Sequence, residues 1–331
     1  MHPFTLSRPT DVSAAIAAHA QNAKLAFIAG GTDLIGLVKD RVTLPDHLLD
    51  ISRLAGMSQI EALSDGGLRI GALARMSDVA ANPDVRSRFP VIAESLLFAA
   101  SGQLRNMATI GGNIMQRTRC TYFRDEDALP CNKRRPGSGC SARYGINRNH
   151  TIFGWSDDCV ATHPSDLAVA LAALDANVLV RNPGGQRLIP FAEFYRLPGN
   201  TPEHDNVLER GDLIVAIEVP ARNEGRASHY LKLRDRQSYE FALVSAAVAV
   251  AADRRRISLA RIGMGGVAHK PWRLTRSEAA LRGVSLDDIG ALKLAVTRLL
   301  IATPVALATG LVELTVGAVV STVAPVVKVH A

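Results

Sequence analysis

The sequence lacks a secretory-type leader and lacks any stretch typical of a nucleic-acid-binding protein. Residues 1–11 have neither a basic start nor a continuous apolar run, so we expect a cytoplasmic protein. The 38 Lys and Arg residues exceed the 31 Asp and Glu residues, giving a net charge of +7. These basic residues are scattered, with no aromatic-interleaved basic stripe, so the sequence predicts no nucleic-acid partner. An acidic neighbouring subunit or an anionic cofactor is a better explanation of the positive charge.

Charge is also nearly absent from the C-terminal segment. Between Leu299 and Ala331 the only fixed charges are Glu313 and Lys328. A membrane span needs about 20 apolar residues, and prolines, a glutamate and several threonines interrupt this run. We therefore expect no membrane span and interpret residues from about 299 onwards as an atypical apolar tail.

The most informative stretch is an apolar run that ends in two glycines, a hydroxyl and a carboxylate, followed by a second apolar run. Such a strand, turn and helix exposes backbone N–H groups, and glycines without Cβ atoms let a pyrophosphate approach the main chain. The pattern fits neither G-x-G-x-x-G nor a Walker loop, and a plain turn remains an alternative. Thr32 or Asp33 can cap the following helix. The stretch consists of Phe27, Ile28, Ala29, Gly30, Gly31, Thr32, Asp33 and Leu34.

Two further motifs favour a binding site for an extended ligand. A second glycine pair lies in a segment that begins at Arg105, and its candidate ligand contacts are Thr109, Gly111, Gly112 and Asn113. We expect this pair to form a second turn that clasps the ligand together with the first. A third motif places Asp166 just before an apolar run, where its carboxylate can accept hydrogen bonds from ribose or ribityl hydroxyls.

All four cysteines of the chain lie within one stretch of about forty residues, which indicates a shared purpose. They are Cys120, Cys131, Cys140 and Cys159. Disulfides, a zinc site, an iron–sulfur cluster and a solvated basic loop remain open. The spacing lacks the close C-x₂₋₄-C pairs of zinc sites and selects no cluster type. Nearby Lys and Arg residues outnumber the acidic residues and can offset the negative charge of thiolates.

The periodicities predict a mixed fold. Helices are expected after Thr10 or Asp11, from Leu34 to Arg41, from Val91 to Ala100 and from Ser165 to Leu174, and Ser77 is expected to cap a helix that runs through Ala81. Strands are expected at His47–Ile51, Leu68–Leu73, Val178–Val180, Gln186–Pro190, Leu213–Val219, Phe241–Ala252 and Ile257–Gly266. Asp65, Gly66 and Gly67 are expected to form the tight turn of a hairpin that leads into the strand at Leu68.

The three motifs in this order, Ala-Gly-Gly-Thr-Asp-Leu, Thr-Ile-Gly-Gly-Asn and Ser-Asp-Leu, resemble the FAD-binding subunit of the molybdenum hydroxylases, the xanthine dehydrogenase and aldehyde oxidase family. The resemblance covers roughly residues 1–285. It implies an α+β fold, with a vanillyl-alcohol-oxidase-type FAD-binding domain of two subdomains at 1–222, divided near residue 55. A C-terminal domain of the CO dehydrogenase flavoprotein type is then expected at 226–331, and an insertion at about 117–160.

The insertion resembles that of the FAD subunits of bacterial aldehyde oxidoreductases, which hold a [4Fe–4S] cluster there. This likeness rests on the segments around Cys120, Cys140 and Cys159. It implies that the four cysteines ligate such a cluster. For the flavin, it implies contacts from residues 27–34, from the second motif and from Asp166, with later contacts at Ile214 and Lys232. Strand core and a solvated face are the alternatives for those two residues, Thr118 is a weaker candidate, and His163 is expected to cap or pack.

The resemblance also implies a role as an electron-transfer subunit. Aldehyde oxidation to the carboxylic acid would occur on a large molybdopterin subunit, and electrons would pass through a small [2Fe–2S] subunit to FAD here. The acceptor would be dioxygen, ferredoxin or a quinone-linked carrier. Alternatives are a subunit of the 4-hydroxybenzoyl-CoA reductase or xanthine dehydrogenase type, a stand-alone flavin oxidase and a non-redox scaffold. Some family complexes are exported through a partner's signal, so a periplasmic location stays open.

Overall fold

The computed structural model describes residues 2–125 and 129–286. The predicted apolar tail from about residue 299 lies outside the described residues. Across the described part of the chain, helices mix with three separate sheets, as the α+β prediction requires. No helix in this part is long and apolar enough to cross a membrane.

The N-terminal unit is a small parallel sheet with two helices. Its elements are β1 (Thr5–Ser7), α1 (Val12–Gln21), β2 (Leu25–Ile28), α2 (Leu34–Lys39) and β3 (His47–Asp50), with strand order β1-β3-β2. Helix α1 begins where the Asp11 carboxylate accepts a hydrogen bond from the Ala14 N–H at 2.9 Å. The cap is therefore Asp11, one of the two predicted residues. Strand β2 leads directly into the first glycine motif.

The second sheet is antiparallel, with strand order β4-β5-β8-β6-β7. Its strands are β4 (Ile60–Ala62), β5 (Leu68–Gly71), β6 (Asn177–Asn182), β7 (Gly185–Pro190) and β8 (Leu213–Val219). The predicted hairpin at Asp65 joins β4 to β5, and the Asp65 carboxylate accepts a hydrogen bond from the Gly67 N–H at 2.7 Å. The central strand β8 pairs with β5 and β6, and its side chains pack into the hydrophobic core.

The middle of the chain supplies most of the helices. They are α3 (Met76–Ala81), α4 (Pro83–Arg88), α5 (Pro90–Phe98), α6 (Gly102–Arg105), α7 (Ile110–Ile114), α8 (Thr121–Arg124), α9 (Asp166–Ala173) and α10 (Phe191–Phe194). The residues of α9 are all buried, and its Ser165 cap accepts from the Ala168 N–H at 3.0 Å. The predicted cap at Ser77 is wrong, because α3 already begins at Met76 and no side chain caps it.

The C-terminal sheet is antiparallel, with strand order β12-β11-β10-β9. Its elements are β9 (Ser228–Leu233), β10 (Val244–Asp253), β11 (Arg256–Gly265) and β12 (Trp272–Arg273), followed by α11 (Thr275–Leu281). It packs on α5 and α9, so Tyr230, Ala247 and Ala249 share one hydrophobic core with the first 220 residues. The predicted strand from Phe241 starts only at Val244, because its partner strand β9 ends at Leu233, opposite Val244.

Candidate functional site

The first glycine motif is pressed against the segment that leads into the second. Strand β2 ends at Ile28, and Gly31 adopts a φ of +68°, which side-chain-bearing residues rarely tolerate. A Cβ atom on Gly30 would lie 2.1 Å from the carbonyl oxygen of Met107. The backbones of the two motifs therefore touch, as expected for two segments that clasp one ligand.

The second glycine motif is helical, which corrects the expected turn. Gly111 and Gly112 lie inside the short helix α7, which Thr109 caps by accepting a hydrogen bond from the Gly112 N–H at 3.3 Å. Asn113 is buried, and its side-chain oxygen accepts from the Ser165 hydroxyl at 2.6 Å. This bond ties the second motif to the cap of α9, the helix that carries Asp166.

The three motifs line a common cavity of about 300 Å³, which we call the glycine cavity. Its motif residues are Thr32, Asp33, Gly112, Asn113 and Asp166, and Lys232 joins them from β9. A second cavity of about 240 Å³, the neighbouring cavity, lies beside it and includes Thr118, Cys120 and His150. The residues that line both are Arg119, Pro164, Asp166, Glu240 and Phe241.

Arg119 and Phe241 mark the boundary between these two cavities. The Arg119 guanidinium lies over the Phe241 ring at 4.9 Å from its centroid, a cation–π contact. The same guanidinium pairs with the Asp33 carboxylate at 2.8 Å. Burial lowers the pKa of Arg119, and the Asp33 carboxylate opposes that shift.

Asp166 and Lys232 form a buried ion pair at the wall of the glycine cavity. Their charged atoms are 2.7 Å apart, and the two side chains expose 5% and 1% of their surface. Tyr230 donates its hydroxyl hydrogen to the other Asp166 oxygen at 2.5 Å. Burial raises the pKa of Asp166, while Lys232 and Tyr230 oppose the rise. The alternative of a solvated face for Lys232 is therefore wrong.

Asp33 connects the first glycine motif to the cysteine-bearing insertion. Its carboxylate accepts hydrogen bonds from the Arg117 N–H at 2.9 Å and the Arg124 guanidinium at 2.8 Å, besides its pair with Arg119. Asp33 precedes α2 but makes no side-chain cap bond. The predicted capping role is wrong for Asp33, because its carboxylate is engaged by three residues of the insertion.

The four cysteines line one small cavity, which we call the cysteine cavity. Cys131 and Cys140 face each other in an isolated antiparallel bridge, Cys120 precedes α8, and Cys159 is buried. None of the four forms a disulfide. Burial raises the pKa of Cys120 to about 11 and that of Cys159 to about 12. Cys120 also lines the neighbouring cavity, so it forms part of the wall between the cysteine cavity and the neighbouring cavity.

Lys133 places a buried positive charge at the cysteine cavity. Its ammonium pairs with Asp205 at 2.6 Å, and Arg117 pairs with the same carboxylate at 2.7 Å. Burial alone would raise the pKa of Asp205, but the two cations outweigh it and hold the pKa at about 2. Lys133 also opposes the burial-driven rise at Cys159. Within residues 2–125 and 129–286, no group of three His, Cys, Asp or Glu side chains is arranged to hold a single metal ion.

The remaining predicted residues lie in varied surroundings. Thr118 is buried at the neighbouring cavity. Phe27, in β2, packs its ring against His19 with centroids 4.4 Å apart. Ile214 lies in the core of the second sheet and lines neither cavity. His163 is half-buried, accepts from the Ser165 N–H at 3.3 Å and packs on Tyr195, so it packs as predicted, whereas Ser165 caps α9.

Sequence reasoning missed several residues that build the site. Arg119, Arg124 and Lys133 were visible only as part of a basic stretch, and their partners lie far away in the sequence. Tyr230 and Asp205 gave no local signal, because their roles depend on contacts between elements 64 or more residues apart.

A family model described as the FAD binding domain in molybdopterin dehydrogenase matches residues 2–222. A second model, the CO dehydrogenase flavoprotein C-terminal domain, matches residues 229–308. The chain is a FAD-binding medium subunit of the molybdenum hydroxylase family. This confirms the family, the fold class and the prediction of an oxidoreductase subunit.

Among individual relatives, the aldehyde oxidoreductase FAD-binding subunit PaoB of Escherichia coli (strain K12) is 49% identical over 284 residues, which cover 85% of this chain and 86% of PaoB. The glyceraldehyde dehydrogenase medium chain of Sulfolobus acidocaldarius is 29% identical and covers 79% of this chain and 74% of its own length. A solved carbon monoxide dehydrogenase from Hydrogenophaga pseudoflava superposes with a TM-score of 0.67 at 25% identity, covering 89% of this chain and 86% of that one.

Proposed function

We propose that the glycine cavity and the neighbouring cavity together bind one FAD molecule. The family match supports FAD as the ligand. The backbone contact at Gly30 leaves no room for a side chain between the first two motifs. In this assignment, residues 27–34 with Thr109, Gly111, Gly112 and Asn113 hold the pyrophosphate, and Thr118 and Lys232 are further contacts.

Asp166 suits a hydroxyl-binding role in that cleft. An ionised carboxylate offers about four acceptor positions, and the described structure uses two of them, for Tyr230 and Lys232. Asp166 lines both cavities, so we assign its remaining acceptor positions to a ligand there. Lys232 and Tyr230 hold the carboxylate in place, so it can accept hydrogen bonds from ribose or ribityl hydroxyls with little rearrangement.

The insertion in turn carries a [4Fe–4S] cluster on Cys120, Cys131, Cys140 and Cys159. The observation that carries this proposal is that all four cysteines line one cavity and none forms a disulfide. Buried thiols with raised pKa values stay neutral without a counter-charge, whereas iron binding deprotonates them. Buried Lys133 supplies positive charge beside the resulting thiolates.

The chain acts as the electron-transfer subunit of a heterotrimeric molybdenum-containing aldehyde oxidoreductase. Bound FAD supplies the redox chemistry, taking electrons that originate in substrate oxidation on another subunit and releasing them to an external acceptor. The 49% identity to PaoB supports aldehydes as the substrate class. A large molybdopterin subunit and a small [2Fe–2S] subunit are the proposed partners. The chain divides near residues 222–226, between the two matched family models.

Anaerobic reduction of the assembled complex tests the substrate class. Addition of an aldehyde should bleach the flavin absorbance, and aerobic turnover should yield the carboxylic acid. Xanthine and reduced ferredoxin serve as the competing reductants, representing the xanthine dehydrogenase and hydroxybenzoyl-CoA reductase types. Bleaching by either of these, with no response to aldehydes, would overturn the aldehyde assignment. Bleaching of the isolated chain by an aldehyde, without partners, would favour the stand-alone oxidase.

A further inference from the structure

The imidazole ring of His150 forms a hydrogen bond with a cysteine sulfur at the cysteine cavity. Its Nε2 atom lies 3.2 Å from the Cys120 sulfur. Cys120 borders both the cysteine cavity and the neighbouring cavity, and His150 lines the neighbouring cavity. The contact therefore lies on the side of the cysteine cavity that faces the proposed flavin site.

The surroundings of His150 fix the direction of its ring. The residue is 8% exposed, and its backbone N–H donates to the Asn147 carbonyl at 2.9 Å. The ring is tilted against Tyr122, with centroids 6.5 Å apart. Tyr122 is itself anchored, because its hydroxyl accepts a hydrogen bond from the Ile146 N–H at 2.8 Å. A ring held in this way keeps its hydrogen bond without a large loss of side-chain entropy.

We infer that His150 is a positioning residue that donates its Nε2–H to the Cys120 sulfur and so raises the reduction potential of the iron–sulfur cluster. This inference rests on the proposed cluster. A thiolate ligand can only accept a hydrogen bond, so a bond to it requires the hydrogen on Nε2. Donation to a ligand sulfur offsets negative charge, and the reduced cluster, with one more electron, gains more from it than the oxidised cluster.

Two substitutions in the full-length protein separate the hydrogen bond from the packing of the ring. H150F keeps a ring against Tyr122 but has no donor, whereas H150Q keeps an N–H donor. Redox titration followed by the electron paramagnetic resonance signal of the reduced cluster measures the potential directly. We expect H150F to shift to lower potential, on the order of a tenfold change in the oxidised-to-reduced ratio, or about 59 mV for a one-electron couple. H150Q should lie closer to the wild-type protein.

Iron and acid-labile sulfide are assayed on every sample, which keeps failure of the inference distinct from failure of the proposed function. A wild-type protein purified without iron would overturn the proposed cluster, and with it the basis of this inference. A cluster of normal iron content in H150F with an unchanged potential would overturn the role of His150 and leave the cluster standing.

A second measurement does not depend on the stability of H150F. In protein labelled with ¹⁵N-histidine, hyperfine spectroscopy of the reduced cluster should detect a coupled histidine nitrogen, and H150Q should abolish the coupling. Absence of a histidine coupling in the iron-containing wild-type protein would overturn the inference.

Discussion

The carboxylate of Asp166 and the ammonium of Lys232 lie 2.7 Å apart, although 66 residues separate them in the sequence. The pair joins the N-terminus of α9 to strand β9 of the C-terminal sheet. It thereby connects the two matched family regions at the wall of the glycine cavity.

Replacing Lys232 with Met should destabilise the protein by about 3–5 kcal/mol, because it leaves the Asp166 charge buried without its partner. Chemical denaturation at equal flavin occupancy measures the free energy of unfolding. The double variant D166N/K232M removes both charges and should recover part of the loss. A double variant less stable than K232M would contradict this account of the pair.

The loss in K232M should also depend on pH. Burial raises the pKa of Asp166, and removal of Lys232 takes away the largest opposing effect. The folded protein then keeps a proton that the unfolded chain releases above about pH 3.9. Stability must therefore fall as pH rises from about 4 towards the folded-state pKa. Between pH 5 and 8, the free energy of unfolding should fall with rising pH in K232M and should not show this fall in D166N/K232M. Equal pH dependence in the two variants would contradict the assignment of the effect to Asp166.

Substitution of Gly30 by Ala should separate the two glycine motifs, because the new Cβ would lie 2.1 Å from a backbone oxygen. We expect a loss of bound flavin together with lower stability, measured by flavin content and denaturation. G102A is the matched control, since a Cβ at Gly102 meets nothing within 4 Å. The control should retain flavin; equal flavin content in both variants would count against the proposed contact.

The sequence predicted what local patterns determine. Strand β8 was predicted at its observed bounds, and Asp11 caps α1. The errors arose where tertiary contacts override local preference. Asp33 has the chemistry of a helix cap, yet three insertion residues engage its carboxylate. Gly111 and Gly112 look like a turn, yet the Thr109 cap starts a helix there. The pairing of Asp166 with Lys232 has no local signature at all.

Replacing Asp33 with Asn should loosen the insertion. The amide keeps the size of the side chain but removes the charge that pairs with Arg119 and Arg124, at a cost of about 1–3 kcal/mol. Hydrogen exchange should increase in residues 117–125. D46N is the control, since Asp46 pairs with Lys24 and His2 at a position where 46% of its side chain is exposed, and its charge should matter little. Unchanged exchange in D33N would show that this carboxylate does not hold the insertion.

Cysteine substitutions should separate the two proposed cofactors. Cys140 lines the cysteine cavity but neither the glycine cavity nor the neighbouring cavity, so C140S should lose iron and retain flavin. Cys120 borders the neighbouring cavity as well, so C120S should lose iron and also alter the flavin spectrum. S141A, at the same cysteine cavity, is the control and should keep both. Full iron content in C140S would remove that cysteine from the ligand set.

The central claim, that one chain holds both FAD and a [4Fe–4S] cluster, is tested most directly by cofactor stoichiometry. The full chain is purified anaerobically, and flavin, iron, acid-labile sulfide and zinc are measured on the same sample. We predict one FAD with about four irons and four sulfides per chain, and no zinc. Flavin with zinc, or flavin with four thiols and no iron, would keep the FAD assignment and contradict the cluster.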